Sequence, residues 1–155
     1  MNKAKVGASW IYACFFTIAI ALLASCTTHL VAPYDQSNQT ALATISSDIM
    51  GFYEGLLETP LTQRNYASSE KMYGQIESEI RVFLIKQPLI LVNKPSLDAS
   101  KDLLDRWEKA RSDHRKNNTY SDADLTIDRA NFQGILSAIF QGETAKQMAS
   151  SPTAK

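Results

Sequence analysis

Histidines, the side chains most often used for metal binding and proton transfer, are scarce in this chain: there are only His29 and His114. Asp113 adjoins His114 but does not share its face of a helix. A metal site needs several His, Cys, Asp or Glu ligands at defined spacing, and neither histidine has such neighbours. We therefore predict no metal site, and we expect His114 to be solvated or to lie in a helix-cap region.

Carboxylates that lie close together in the sequence are poorly placed for shared acid–base chemistry. Glu77 with Glu79, and Asp122 with Asp124, are two residues apart and point to different sides of a helix. The chain also lacks a glycine-rich phosphate loop, a G-x-S-x-G turn and an HExxH pair. We predict that the protein is not an enzyme and has no cofactor. A hydrolase with carboxylates distant in sequence, as in wall-cleaving glycosidases, stays open as an alternative.

The N-terminus has the organisation of an export signal. Lys3 and Lys5 precede an apolar run from Trp10 to Ala24, which is typical of the hydrophobic region of a signal peptide. A helix that crosses a bilayer needs about 20 predominantly apolar residues, so this run is short for a permanent span. We predict a signal peptide over residues 1–25.

The run ends in Leu23-Ala24-Ser25-Cys26, a series that resembles the lipobox of bacterial lipoproteins. The resemblance implies that the Cys26 thiol receives diacylglycerol, that the chain is cut between Ser25 and Cys26, and that the new amine is acylated, commonly with palmitate. Thr27 stands where an aspartate resembles an inner-membrane retention signal, which implies sorting to the outer membrane. The alternative is an incidental Cys26 after an ordinary signal or within an uncleaved anchor.

The mature segment that would remain has 130 residues, enough for one domain. It carries 14 basic and 16 acidic side chains, which excludes a strong electrostatic attraction to nucleic acid. Cys14 would leave with the signal and Cys26 would carry lipid, so we expect no disulfide. We divide this segment into a tether over 26–36, a helical domain over 37–148 and a flexible tail over 149–155.

Two amphipathic helices follow the tether, one before Pro60 and one before Pro88. Their apolar residues recur every three or four positions, which places each set on one helical stripe. The first set is Leu42, Ile45, Ile49, Phe52 and Leu56, and the second is Tyr66, Ser69, Tyr73, Ile76, Ile80 and Phe83. We interpret the next segment, 89–92, as a buried linker, part of which could add a turn to a helix.

Two further helices are predicted in the second half of the domain. The third begins with Ser96 as its N-cap, and the fourth follows a capping box made by Ser121 and Asp124. We expect ion pairs between Asp102 and Arg106 and between Asp105 and Lys109, which are four residues apart on the third helix. The apolar face of the third helix comprises Leu97, Leu104, Trp107 and Ala110. The apolar face of the fourth helix comprises Leu125, Phe132, Ile135, Leu136, Ile139 and Phe140.

The predicted fold class is therefore all-α, a small antiparallel bundle of about four helices. Three main helices with the fourth docked across them is the alternative. Aromatic side chains could line a groove, but on amphipathic helices they are more often core residues. The set in question is Tyr53, Tyr66, Tyr73, Trp107 and Tyr120.

Small residues form a row on the first helix and another on the fourth, away from the apolar stripes. A glycine inside an exposed helix costs about 1 kcal/mol relative to alanine, so the rows suggest close backbone approach, either to each other or to a helix of another protein. Ordinary drift on a solvent face is the alternative. The candidate docking face consists of Ala43, Ser47, Gly51, Gly55, Ala130, Gly134, Ala138 and Gly142.

These features favour a lipid-anchored, periplasm-facing lipoprotein of the outer membrane that acts as a non-catalytic binding or adaptor module. The membrane would be engaged through covalent lipid, and the partner would be a protein of the envelope. The alternatives are a cell-wall-active enzyme or an inhibitor of one, a carrier of an apolar ligand, and an exclusion lipoprotein encoded by a phage or plasmid. No motif in residues 27–155 assigns the chain to a known family.

Overall fold

Four α-helices account for most of the residues that the computed structural model describes, which are 32–90 and 93–151. They are α1 (Gln36–Glu58), α2 (Tyr66–Lys86), α3 (Lys94–Asn117) and α4 (Asp122–Ser150). Short 3-10 turns, Leu61–Gln63 and Gln87–Leu89, follow α1 and α2. Over these two ranges there is no strand, and the prediction of an all-α bundle is confirmed.

The four helices form a closed ring in which each packs against the two neighbouring helices, α4 lying against both α3 and α1. Successive helices run in opposite directions. The start of α1 meets the end of α4, where the Tyr34 amide donates to Ser150 Oγ at 3.3 Å. On α2 and α3, Glu77 faces Arg111 and Arg81 faces Glu108. We call the end where α1 starts the proximal end and the opposite end the distal end.

The predicted apolar stripes of α1 and α2 are buried in full. At the centre, Phe52 packs against Tyr73 and Trp107 with ring centroids 4.7 and 5.3 Å apart, in the edge-on geometry that aromatic rings prefer. The Trp107 indole donates to the Tyr73 carbonyl at 3.0 Å, so its polar atom is satisfied inside the core. The predicted core role of the aromatic set is confirmed, because Tyr53, Tyr66, Tyr73, Trp107 and Tyr120 are all buried.

Side-chain caps mark the starts of α1, α2 and α4. Asp35 accepts from the Ser37 amide at the start of α1, and Asn65 accepts from the Ser68 amide at the start of α2. The predicted cap of the fourth helix is confirmed, since Ser121 Oγ accepts from the Asp124 amide at 3.1 Å. The helix continues to Ser150, so the first two residues of the predicted flexible tail over 149–155 are helical.

The predicted start of the third helix is wrong. The N-cap is Asn93, and Ser96 lies within the helix and is buried. The helix begins before Pro95, because a proline fits the first turn of a helix, where no hydrogen bond to its nitrogen is needed.

For the linker predicted over 89–92, burial is wrong at Leu89, and the alternative that part of the segment adds a turn to a helix is correct. Gln87–Leu89 is a 3-10 turn that extends α2, and Leu89 is exposed. The polar residues Gln87 and Asn93, on either side of this segment, are buried instead of Leu89. Their burial is possible because the Asn93 side-chain amide donates a hydrogen bond to Gln87 Oε1 at 2.8 Å.

The charged side chains of α3 choose different partners from the predicted ones. Arg106 binds Asp128 of α4, and Lys109 binds Asp113. Contact between helices offers Arg106 a partly buried carboxylate, which competes successfully with an exposed neighbour on the same helix.

A buried arginine ties the connections at the distal end. The Arg64 guanidinium donates to the carbonyls of Thr59, Leu57 and Tyr120 at 2.7, 3.2 and 3.1 Å, and it pairs with Asp122. The link between α1 and α2 is thereby fastened to the link between α3 and α4. Three backbone acceptors depend on one side chain.

Replacing Arg64 with alanine is expected to lower the free energy of unfolding by about 2–4 kcal/mol, because these acceptors lose their partner in a buried setting. Urea unfolding followed by circular dichroism measures the change. Arg129→Ala is the matched control, since its ion pair with Glu54 is exposed and contributes less than about 1 kcal/mol. Equal losses in the two variants would contradict the role given to Arg64.

Candidate functional site

A buried polar cluster at the proximal end brings together the side chains that most resemble a catalytic arrangement. It consists of Asn93, Ser96, Glu143 and Lys146, which we call the Lys146 cluster. The Lys146 ammonium donates to Asn93 Oδ1 at 2.6 Å, Ser96 Oγ at 2.7 Å and Glu143 Oε1 at 2.6 Å. All four residues are buried.

A lysine beside a serine hydroxyl is the geometry of a serine–lysine nucleophile pair, but here the hydrogen-bond partners oppose that chemistry. All three ammonium protons of Lys146 have acceptors, so the fold holds the lysine as a charged donor and not as a base. The Ser96 hydroxyl in turn donates to Glu143 at 3.1 Å. The Lys146 cluster therefore joins α3 to α4 as a desolvated ion pair.

The surroundings of His114 differ in part from the prediction that this residue is solvated or lies in a helix-cap region. It is buried, and its ring lies between Tyr73, with Nδ1 3.2 Å from the hydroxyl, and Arg64, with Nε2 3.0 Å from the carbonyl oxygen. A carbonyl only accepts, so Nε2 carries the proton and Nδ1 accepts from Tyr73. The solvated position expected for His114 is wrong, because the residue supplies a donor and an acceptor that the core needs. The alternative helix-cap position is correct, since His114 lies in the last turn of α3 and its carbonyl accepts from the Asn118 amide at 2.8 Å.

Burial also sets the protonation of this pair. Desolvation lowers the pKa of His114, and the Arg64 carbonyl only partly opposes it. Desolvation raises the pKa of Tyr73, which keeps its hydroxyl protonated. Both groups are therefore neutral donors and acceptors at neutral pH.

A polar cleft of about 250 Å³ lies beside His114, between α3 and α4. Each charged group that lines it has a partner within the fold: Asp128 accepts from Arg106 and from the Tyr120 hydroxyl, Lys109 pairs with Asp113, and Asp124 accepts from the Ser121 hydroxyl. A ligand would have to displace these internal bonds. The cleft is best described as a polar seam between two helices.

The carboxylates of α2 separate as predicted, because Glu77 and Glu79 face different helices. Burial would raise the pKa of Glu77, but hydrogen bonds from Arg81 and Arg111 outweigh it and lower the pKa. For Glu79, burial and a carboxyl–carboxyl contact with Asp48 of α1 raise the pKa. This contact joins residues 31 positions apart, and no local pattern in the sequence indicates it.

The two rows of small residues lie on the surface. All eight residues are exposed, and a Cβ atom built on Gly51, Gly55, Gly134 or Gly142 would meet no other atom within 4 Å. The rows therefore do not pack against each other, although α1 and α4 are neighbours. Of the two kinds of close approach considered, the one within the domain is wrong. Docking of another protein's helix stays a prediction.

Ser25 and Cys26, the predicted cleavage and lipidation residues, lie outside the described residues. Over 32–90 and 93–151, no helix is both long and apolar enough to span a bilayer. Within the same ranges, no three His, Cys, Asp or Glu side chains converge as metal ligands. The chain matches no protein-family model, no curated protein and no solved structure.

Alanine in place of Gly51 or Gly134 should stabilise the bundle by about 0.5–1 kcal/mol for each substitution. Glycine loses more backbone freedom on folding than alanine does, and the added Cβ atom meets no other atom. Thermal or urea unfolding measures the effect. Ala43→Gly, on the same exposed row as Gly51, should destabilise by a similar amount. A loss of stability in Gly51→Ala would show that the row is not open.

The free energy of unfolding should fall as the pH drops below about 6.5, the ordinary histidine pKa, because the unfolded chain takes up a proton that buried His114 does not. The slope should approach about 1.4 kcal/mol per pH unit at most. His114→Gln, whose amide can still donate to the Arg64 carbonyl, should lose this component. Parallel pH profiles for the two proteins between pH 5 and 7 would contradict it.

Proposed function

We propose that this chain is a bacterial envelope lipoprotein, acylated at Cys26, whose helical bundle binds a protein partner at the periplasmic face of the outer membrane. One observation supports the lipid anchor: the series Leu23-Ala24-Ser25-Cys26 ends an apolar run of signal-peptide length, and this run follows a basic N-terminus. Several acyl chains at about 0.8 kcal/mol per buried CH₂ exceed what stable membrane attachment requires.

The position of the bundle along the chain supports an anchored module that works close to its membrane. Helix α1 begins at Gln36, ten residues after Cys26. Ten extended residues reach about 35 Å at most. A partner of this domain would therefore be bound within a few tens of ångströms of the bilayer, as suits an adaptor for membrane-associated machinery.

The use that the bundle makes of its reactive side chains supports binding over catalysis. Ser96, Lys146 and His114 bond with other groups of the fold, and the charged groups of the cleft have partners within it. Activity that depends on such groups would require the bundle to open. Contact through the exposed helix faces requires no rearrangement, and the rows on α1 and α4 are the candidate docking face.

Sorting to the outer membrane is the part of the proposal that depends on Thr27. The wall-active enzyme or inhibitor and the exclusion lipoprotein stay as alternatives, and an anchored helical bundle is compatible with each.

Cys26→Ala should abolish incorporation of a radiolabelled or alkyne-tagged palmitate and release the protein from membranes washed with alkaline carbonate. Cys14→Ala is the matched control, because Cys14 lies in the segment that the signal peptidase would remove. It should keep both the label and the membrane attachment. Unchanged attachment of Cys26→Ala, or no label in the parent protein, would refute the lipoprotein assignment.

A further inference from the structure

The most exposed large apolar side chains of the described residues share one end of the bundle. Leu89 is 79% exposed, Met148 72% and Ile85 67%. Leu89 ends the turn that extends α2, Ile85 is one turn earlier, and Met148 lies in the last turn of α4. All three are therefore at the proximal end, where α1 begins.

On α2 these side chains form a continuous apolar edge. Val82, Ile85 and Leu89 follow one another at spacings of three and four, so they share a helical face over about 10 Å of rise. Val82 also lines an apolar groove of about 250 Å³ between α1 and α2, with Ala41 on the opposite side. Leaving this much apolar surface in water is unfavourable.

The charges at the proximal end cancel. Lys94 pairs with Asp98, and the other charged side chains near the helix termini there are Lys86 and Asp35. Lys146 and Glu143 are buried and neutralise each other. A surface that contacts this end therefore has no electrostatic reason to be anionic, and the apolar side chains determine what it binds.

The length of the chain before the bundle identifies the contacting surface. Only six Cα–Cα steps separate Cys26 from Ala32, a span of about 20 Å when fully extended. We propose that the proximal end docks on the bilayer, with Leu89 and Ile85 inserted among the lipid headgroups and acyl chains. This inference rests on the lipid anchor of the proposed function. The bundle then stands on its membrane, and α1 and α4 present their small-residue rows to the periplasm.

The distal end supplies a matched control. Ile127 is a large apolar side chain of similar exposure, 59%. It is separated from Met148 by 21 residues of α4, about 31 Å along the helix. A side chain at that height lies clear of the bilayer when the proximal end is docked.

The test uses the acylated protein in vesicles of neutral phosphatidylcholine, with a polarity-sensitive fluorophore on Leu89→Cys or on Ile127→Cys. Lipids with brominated acyl chains should quench the probe at 89 by about twofold and leave the probe at 127 unchanged. Raising the salt concentration should not alter the quenching, because the contact is apolar.

Each other result overturns the inference. An unquenched probe at 89 on protein that still floats with the vesicles refutes the docked end and leaves the anchor standing. Protection of that probe from aqueous iodide without quenching by lipid means that a second copy or another protein covers the end. Protein that does not float with the vesicles refutes the proposed function itself, and the docked end with it.

Discussion

A charged side chain can be buried only where the fold supplies its partners, and each end of this bundle is organised around one such cation. Distally, Arg64 collects carbonyls from two helix connections. Proximally, Lys146 collects an amide, a hydroxyl and a carboxylate from α3, α4 and the residue before α3. Apolar stripes alone would permit the helices to slide along one another. The two cations fix which residues meet, because any shift would leave a buried charge or carbonyl without a partner.

Between these ends, the aromatic core and its polar attachments form one unit. His114 accepts from the Tyr73 hydroxyl and donates to the carbonyl of Arg64, and Tyr73 accepts from the Trp107 indole through its own carbonyl. The core is thus linked to the distal cation through hydrogen bonds. The groups that could perform chemistry are therefore also the groups that hold this structure together.

The sequence predicts well what depends on local periodicity. The stripes from Leu42 to Leu56 and from Tyr66 to Phe83 are core, and Ser121 caps α4, because spacing and cap chemistry act within a few residues. It predicts poorly what depends on partners distant in the chain. Ser96 has the residue type of a helix cap, but its partner Lys146 is 50 positions away in the chain. His114 resembles a surface residue in the sequence, but its partner, the Arg64 carbonyl, is also 50 positions away. The prediction for Leu89 is wrong in the opposite direction: an apolar residue is expected to be buried, and no local pattern in the sequence indicates that this one is exposed. For the docking face, periodicity shows that the rows lie away from the core, but it cannot show what they meet.

The contact between the first and last helices has a consequence for biogenesis. Helix α1 packs on α4 as well as on α2, so part of its apolar stripe has its native cover only after the final helix has been synthesised. Contacts between segments so far apart in the chain form late and slowly. The growing polypeptide therefore exposes the apolar stripe of α1 until α4 is complete, and a chaperone that covers α1 during that time would raise the yield of the native protein.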